Sequence, residues 1–146
     1  MTPALSVCIC TYNRPEWLHE CVLSVLRSVG VDMEILIVDN GSTPETAEVL
    51  DLLGDPRIHV ERLEHNDQAK AHRILRGLAR GRYTLILPDD DVIVDPLWLG
   101  HAVERLDQTG ARICSQWNPT GSNATSAGIH IGPPPERAGI RLRQAI

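Results

Sequence analysis

The chain has 146 residues, with 14 Lys and Arg against 19 Asp and Glu and a formal net charge of −5. That length supports one domain with a core that needs no disulfide or metal staple. The scattered, outnumbered cations exclude a nucleic-acid footprint, and no apolar run reaches bilayer-spanning length. The N-terminus lacks a charged-then-apolar signal pattern. Cys8, Cys10, Cys21 and Cys114 lack paired zinc-ligand spacing and read as small buried thiols, so a reducing cytoplasm is the expected location.

Leu5 to Cys10 is an apolar run of strand type, broken by Thr11-Tyr12-Asn13-Arg14. Pro15 suits a first helical position, and Trp17, Leu18, Cys21, Val22, Val25, Leu26 and Val29 recur at helical spacing as far as Gly30. Glu34 to Val38 is the second strand, ending in Asp39-Asn40-Gly41-Ser42. Ser42 with Glu45 reads as a capping box for a helix with Val49, Leu50 and Leu53 inward. Arg57 to Leu63 is a third strand, and Gln68 to Arg80 a helix closed by Gly81. Tyr83 to Leu87 is the fourth strand, followed by a helix from Pro96 to about Asp107 and a strand from Ala111 to Ser115. After Trp117 the chain turns rich in Ser, Thr, Asn and Gly, then Pro133-Pro134-Pro135, and reads as loop, edge or tail. Strands alternating with helices predict an α/β fold: a doubly wound, mostly parallel, Rossmann-like sheet with helices on both faces.

The fourth strand ends in Asp89-Asp90-Asp91. Two unit charges about 4 Å apart repel by roughly 4 kcal/mol at an effective dielectric near 20. In an extended segment Asp89 and Asp91 face one side, and a divalent metal between them, completed by phosphate oxygens and water, offsets that repulsion. A solvated acidic turn is the plainer alternative. In a parallel sheet, ligands bind beyond the carboxyl ends of the strands. Thr11-Tyr12-Asn13, Asp39-Asn40-Gly41-Ser42, His65-Asn66-Asp67 and Asp89-Asp90-Asp91 all follow strands and should share one rim. There Asp39 or the Asn40 amide offers hydrogen bonds to a nucleobase edge, and Tyr12 offers a stacking face. The alternatives are a helix-entry turn for Asp39 and a core aromatic for Tyr12.

Val7 to Pro15, then Ile37 to Ser42, then Gly77 to Tyr83 followed by Leu87 to Asp91, resemble the family 2 glycosyltransferases of GT-A fold, with three motifs in the right order from about Leu5 to about Leu106. The resemblance implies that residues 1–117 form a nucleotide-sugar donor-binding domain. Residues 118–146 then form a Gly/Pro-rich tail or the start of an acceptor half. It implies nucleotide contacts from Thr11, Tyr12, Asn13, Asp39 and Asn40. A divalent metal, manganese or magnesium, falls to Asp91 first and Asp89 second, with Asp90 on ribose or sugar. Arg73 is the favoured diphosphate contact, with Lys70, His72 and Arg76 as alternatives.

The implied reaction passes a sugar from a nucleotide-diphosphate donor to a glycan, lipid or small-molecule hydroxyl, with inversion. Pro commonly stands at the Cys10 position in that family and Asp at the Asn40 position. No residue is identifiable as the catalytic base, since Glu136 is the only acid after Asp107. The expectation is therefore a missing C-terminal half or a partner chain, and the alternative function is a non-catalytic nucleotide-sugar-binding module. A phosphohydrolase ranks last, because Thr11-Tyr12-Asn13 offers no acidic nucleophile.

Overall fold

The computed structural model describes residues 1–111 and the backbone of 113–115 and 128–130. Strands β1 (Leu5–Thr11), β2 (Met33–Asp39), β3 (Ile58–Arg62) and β4 (Tyr83–Ile86) alternate with helices α1 (Pro15–Leu26), α2 (Pro44–Leu52) and α3 (Gln68–Leu78). Helix α4 (Trp98–Thr109) and the short strands β5 (Ile113–Ser115) and β6 (Gly128–His130) follow. The sheet order is β3-β2-β1-β4-β6-β5. The first four strands are mutually parallel, and β6 runs antiparallel to both β4 and β5.

The alternation of side chains along each strand explains the layering. Val7, Ile9, Ile35 and Ile37 point into one core with Leu18 and Val22 of α1, Leu50 of α2 and Leu99 of α4. Cys8, Leu36 and Val38 point the other way, onto Ala71 and Leu75 of α3. Both faces of the parallel strands are thus covered, which is why these segments read as near-continuous apolar runs. The chain steps outward from β1 to β2 to β3, then returns through α3 to place β4 on the other side of β1. The strand order therefore reverses between β1 and β4, the switch point where open α/β sheets form their ligand crevice.

The expected doubly wound architecture is present, with local corrections. Helix α1 stops at Leu26 rather than near Gly30, because Val29 N–H bonds to Pro96 O and Gly30 turns the chain at φ +75°. The N-cap of α2 is Thr43, not Ser42, whose hydroxyl instead accepts the Asn13 N–H. Helix α3 ends at Leu78, where Ala79 turns extended. Helix α4 begins at Trp98, two residues past Pro96, after an Asp95 side chain accepts the Leu97 N–H. Within the stretch read as loop, edge or tail, residues 128–130 form β6, which lies between β4 and β5. Cys114 and Trp117 have side chains outside the described residues, as does Glu136.

At the end of the sheet where β2 begins, Glu34 is a buried acid in an apolar strand. Ser6 Oγ donates to its Oε1 at 2.6 Å, Arg80 N–H donates to the same oxygen at 2.8 Å, and Arg80 Nη2 meets Oε2 at 3.0 Å. Gly81 N–H donates to Ser6 Oγ at 2.7 Å. These bonds fix the turn that feeds β4 into the sheet, where that strand begins.

Candidate active site

The four predicted polar clusters, which follow β1, β2, β3 and β4, do meet at one rim of the sheet, and hydrogen bonds tie them to one another. Thr11, the last residue of β1, is 1% exposed and donates its hydroxyl to Asp89 Oδ2 at 2.8 Å. Asn13 stands at φ +54°, a left-handed conformation that Asn tolerates better than most residues. From there its N–H donates to Ser42 Oγ at 3.0 Å and its Oδ1 accepts the Thr43 N–H at 2.8 Å. The turns after β1 and β2 are thereby fastened together.

Asp39 ends β2 with its side chain turned into its own turn, Oδ1 accepting the Ser42 N–H at 3.0 Å. Such an Asx turn shows the turn role to be present, while a carboxylate retains acceptor capacity beyond one bond. Asn40 is fully buried. Its Nδ2 donates to Asn66 Oδ1 at 2.9 Å and its Oδ1 accepts the Asp67 N–H at 2.8 Å. The amide expected to meet a nucleobase is instead engaged within the protein, where it fixes the β3–α3 loop. Gly41, at φ +79°, has that loop directly above it: a Cβ would lie 2.8 Å from His65 C and 2.9 Å from Asn66 N.

The acidic segment takes a correction. It is not extended: Asp91 N–H bonds to Pro88 O at 3.2 Å, closing a turn over Asp89 and Asp90. The strand itself stops at Ile86, in keeping with a proline that lacks an N–H two residues on. Asp89 is buried, Asp90 is exposed and Asp91 lies between these extremes. The hydrogen bonds of Asp89 go to Thr11 and to Arg14, whose Nη1 lies 3.2 Å from Asp89 Oδ1 and 3.2 Å from Asp90 Oδ2. Arg14 lies within the first family-like segment, Val7 to Pro15, and no role for it is evident from sequence. A cation three residues beyond one strand end and an acidic run at another were the signal, legible only once β1 and β4 are known to be neighbours.

Tyr12 is 42% exposed, which places it outside the core and leaves its ring open at the rim. Arg73 and Lys70 are exposed on α3, whereas His72 is partly covered; burial, then the nearby Arg76 charge, hold its imidazole below the usual range. Hydrogen bonds reach the acidic turn from Thr11 at the end of β1, from Arg14 in the turn after it and from Cys21 of α1. Burial pushes the Cys21 thiol up to about 12, with Asp89, Asp91 and Asp90 adding to the effect, and its Sγ donates to Pro88 O. Cys10 is likewise raised to about 11, by burial and then by Asp89 and Asp39. Both are neutral thiols at neutral pH, unsuited to nucleophilic work. A groove of about 600 Å³ between Val29-Gly30 and α4 shares no residue with the polar rim.

Carboxylate oxygens are hard donors suited to magnesium or manganese. Among the described residues no three His, Cys, Asp or Glu side chains gather at one point. A magnesium-type shell needs only one or two carboxylates, with substrate phosphates and water supplying the rest. The acidic turn offers carboxylates of that kind, with Asp89 bonded to Thr11 and Arg14, and Asp90 to Arg14.

Comparison with known proteins places this geometry. The chain is 31% identical over 112 residues to the succinoglycan biosynthesis protein ExoO of Rhizobium meliloti, covering 76% of this chain and 32% of that protein. It is 32% identical over 96 residues to the glycosyltransferase GlyG of Streptococcus pneumoniae, covering 64% of this chain and 32% of the relative. The chain thus spans 32% of the length of both relatives. Among solved structures, the mannosyltransferase PcManGT of Pyrobaculum calidifontis superposes with a TM-score of 0.71 at 19% identity, over 81% of this chain and 36% of that one. TarS of S. aureus gives 0.68 at 24% identity, over 75% of this chain and 34% of that one. These likenesses establish the GT-A fold. The profile of glycosyl transferase family 2 matches residues 6–141, and the chain belongs to that family.

Proposed function

We propose that the rim at the ends of β1, β2 and β4 binds a nucleotide-diphosphate sugar together with a divalent cation, and that the sugar passes to an acceptor hydroxyl with inversion. The observation that carries this reading is the junction of Thr11 with Asp89, which brings the acidic turn against the nucleotide-side turns at the sheet's switch point. Tyr12 stacks on the base, and Asp39 and Asn13 meet the nucleoside. Asn40 acts at one remove by holding the β3–α3 loop. Asp91, then Asp89, hold the cation, Asp90 meets ribose or sugar, and Arg73 reaches the diphosphate. Bound there, magnesium or manganese would neutralise charge developing on the departing diphosphate. Support for such a ligand pair comes from the PcManGT neighbour, solved in complex with GDP-Man and Mn2+. The acceptor is a glycan, lipid or small-molecule hydroxyl, and no described residue is assigned as its general base.

A thermal-shift screen of nucleoside diphosphates and nucleotide-sugars, with and without manganese, tests this. Ligands that bind the folded state raise its unfolding midpoint by mass action. A shift that needs both nucleotide and metal supports the donor site; no shift with any pair overturns it. The share of the relatives' length that the chain spans favours a second reading, a donor-binding portion that does not complete transfer alone. Metal-dependent hydrolysis of the nucleotide-sugar separates the two, since a binding module gives none.

A further inference from the structure

Arg14 follows β1, and Asp89 and Asp90 follow β4, so their ion pair bridges the ends of two neighbouring strands at the switch point. The guanidinium Nη1 sits 3.2 Å from an oxygen of each carboxylate. The two sides of the pair differ in freedom. The Arg14 side chain is 51% exposed, while that of Asp89 is 8% exposed and is held through its other oxygen by Thr11. The guanidinium thus has solvent beside it, whereas the Asp89 carboxylate is anchored in the protein. A divalent cation arriving at Asp89 Oδ1 meets a positive charge already seated against two of the turn's three carboxylates, and like charges this close oppose each other.

We propose that Arg14 is the resident counter-ion of the acidic turn and couples cation binding to diphosphate binding. This rests on the donor-site reading above. Metal alone must displace the guanidinium into water. When a diphosphate arrives with the metal, the released guanidinium gains an anion it can bond in bidentate fashion. Metal and nucleotide then bind together better than either does alone.

The test is Mn2+ binding, followed by electron paramagnetic resonance, with and without UDP or GDP and corrected for the metal–nucleotide complex in solution. Wild type, Arg14→Gln and Arg14→Lys are compared, each first shown to unfold cooperatively. In wild type the nucleotide tightens Mn2+ binding by about tenfold or more, within the usual span of coupling. Arg14→Gln binds Mn2+ alone about tenfold tighter than wild type and loses most of the coupling. Arg14→Lys falls between, because it keeps the charge without the fork. If Arg14→Gln binds Mn2+ alone no tighter while wild type still shows nucleotide-dependent binding, the counter-ion role is overturned and the donor site stands. No Mn2+ binding by any form, with or without nucleotide, overturns the donor site and the coupling together.

Discussion

Thr11 Oγ1 lies 2.8 Å from Asp89 Oδ2, a buried hydrogen bond between residues 78 positions apart that joins the end of β1 to the turn after β4. Through it the position of the acidic turn depends on a strand end rather than on the turn alone.

Thr11→Val keeps the side-chain shape but removes the donor, so a buried carboxylate oxygen loses its partner. Leaving such a group unsatisfied costs about 1–3 kcal/mol. The expected result is a lower denaturant midpoint with an unchanged slope, together with weaker metal-dependent nucleotide binding. Thr11→Ser should restore both. A valine variant as stable as wild type would show that the bond contributes little.

Asp91→Asn keeps the size, exchanges one acceptor oxygen for a donor NH2 and removes the charge offered to a cation. Metal-dependent stabilisation by a nucleoside diphosphate should vanish, while the unfolding midpoint of the unliganded protein stays near that of wild type. Equal nucleotide affinity with and without metal, in wild type and variant alike, would remove Asp91 from the metal role.

The parallel sheet and the shared rim were legible in the sequence because both follow from periodicity: apolar strands covered on two faces, each followed by polar residues. What escaped depended on partners far along the chain. Asn40 read as a ligand contact because an amide can serve a base. In the fold its amide is buried and bonded at both ends, by Asn66 and Asp67, 26 and 27 residues on. Ser42 looked like a helix cap until Asn13, 29 residues earlier, claimed its hydroxyl. Strand β6 carries only three residues, too short a run to show an alternation, and its pairing with β4 decides its state.

Glycines divide sharply. At Gly81 a Cβ would collide with Ser6 N and lie 2.7 Å from Leu5 C, both backbone atoms of β1. Gly81→Ala must push β1 and β4 apart, and overpacking of this kind costs about 1–3 kcal/mol. Gly77 lies in α3 with nothing within 4 Å of such a Cβ. Gly77→Ala should therefore stabilise the protein by up to about 1 kcal/mol through helix propensity. Paired thermal melts check both, and opposite signs are required.

The Glu34 cluster gives stability a pH dependence of known sign. Burial works to raise the Glu34 pKa. The Ser6 hydroxyl, the Arg80 N–H and the Arg80 guanidinium together outweigh it, holding the carboxyl below its ordinary 4.5. A group whose pKa is lower folded than unfolded binds more protons in the unfolded state, so its contribution is complete above about 4.5, the ordinary value. That contribution declines as pH falls from there through the folded value. Screening tempers the ion pair, because the Arg80 side chain is 69% exposed, so the buried Ser6 and backbone bonds should supply most of the effect. Glu34→Gln should lower the midpoint at neutral pH and flatten the loss of stability below pH 4.5, measured by urea unfolding at successive pH values. Parallel pH profiles for variant and wild type would assign the acid-sensitive step to other carboxylates, Asp55 first, since the Arg57 side chain and N–H hold it down to about 2.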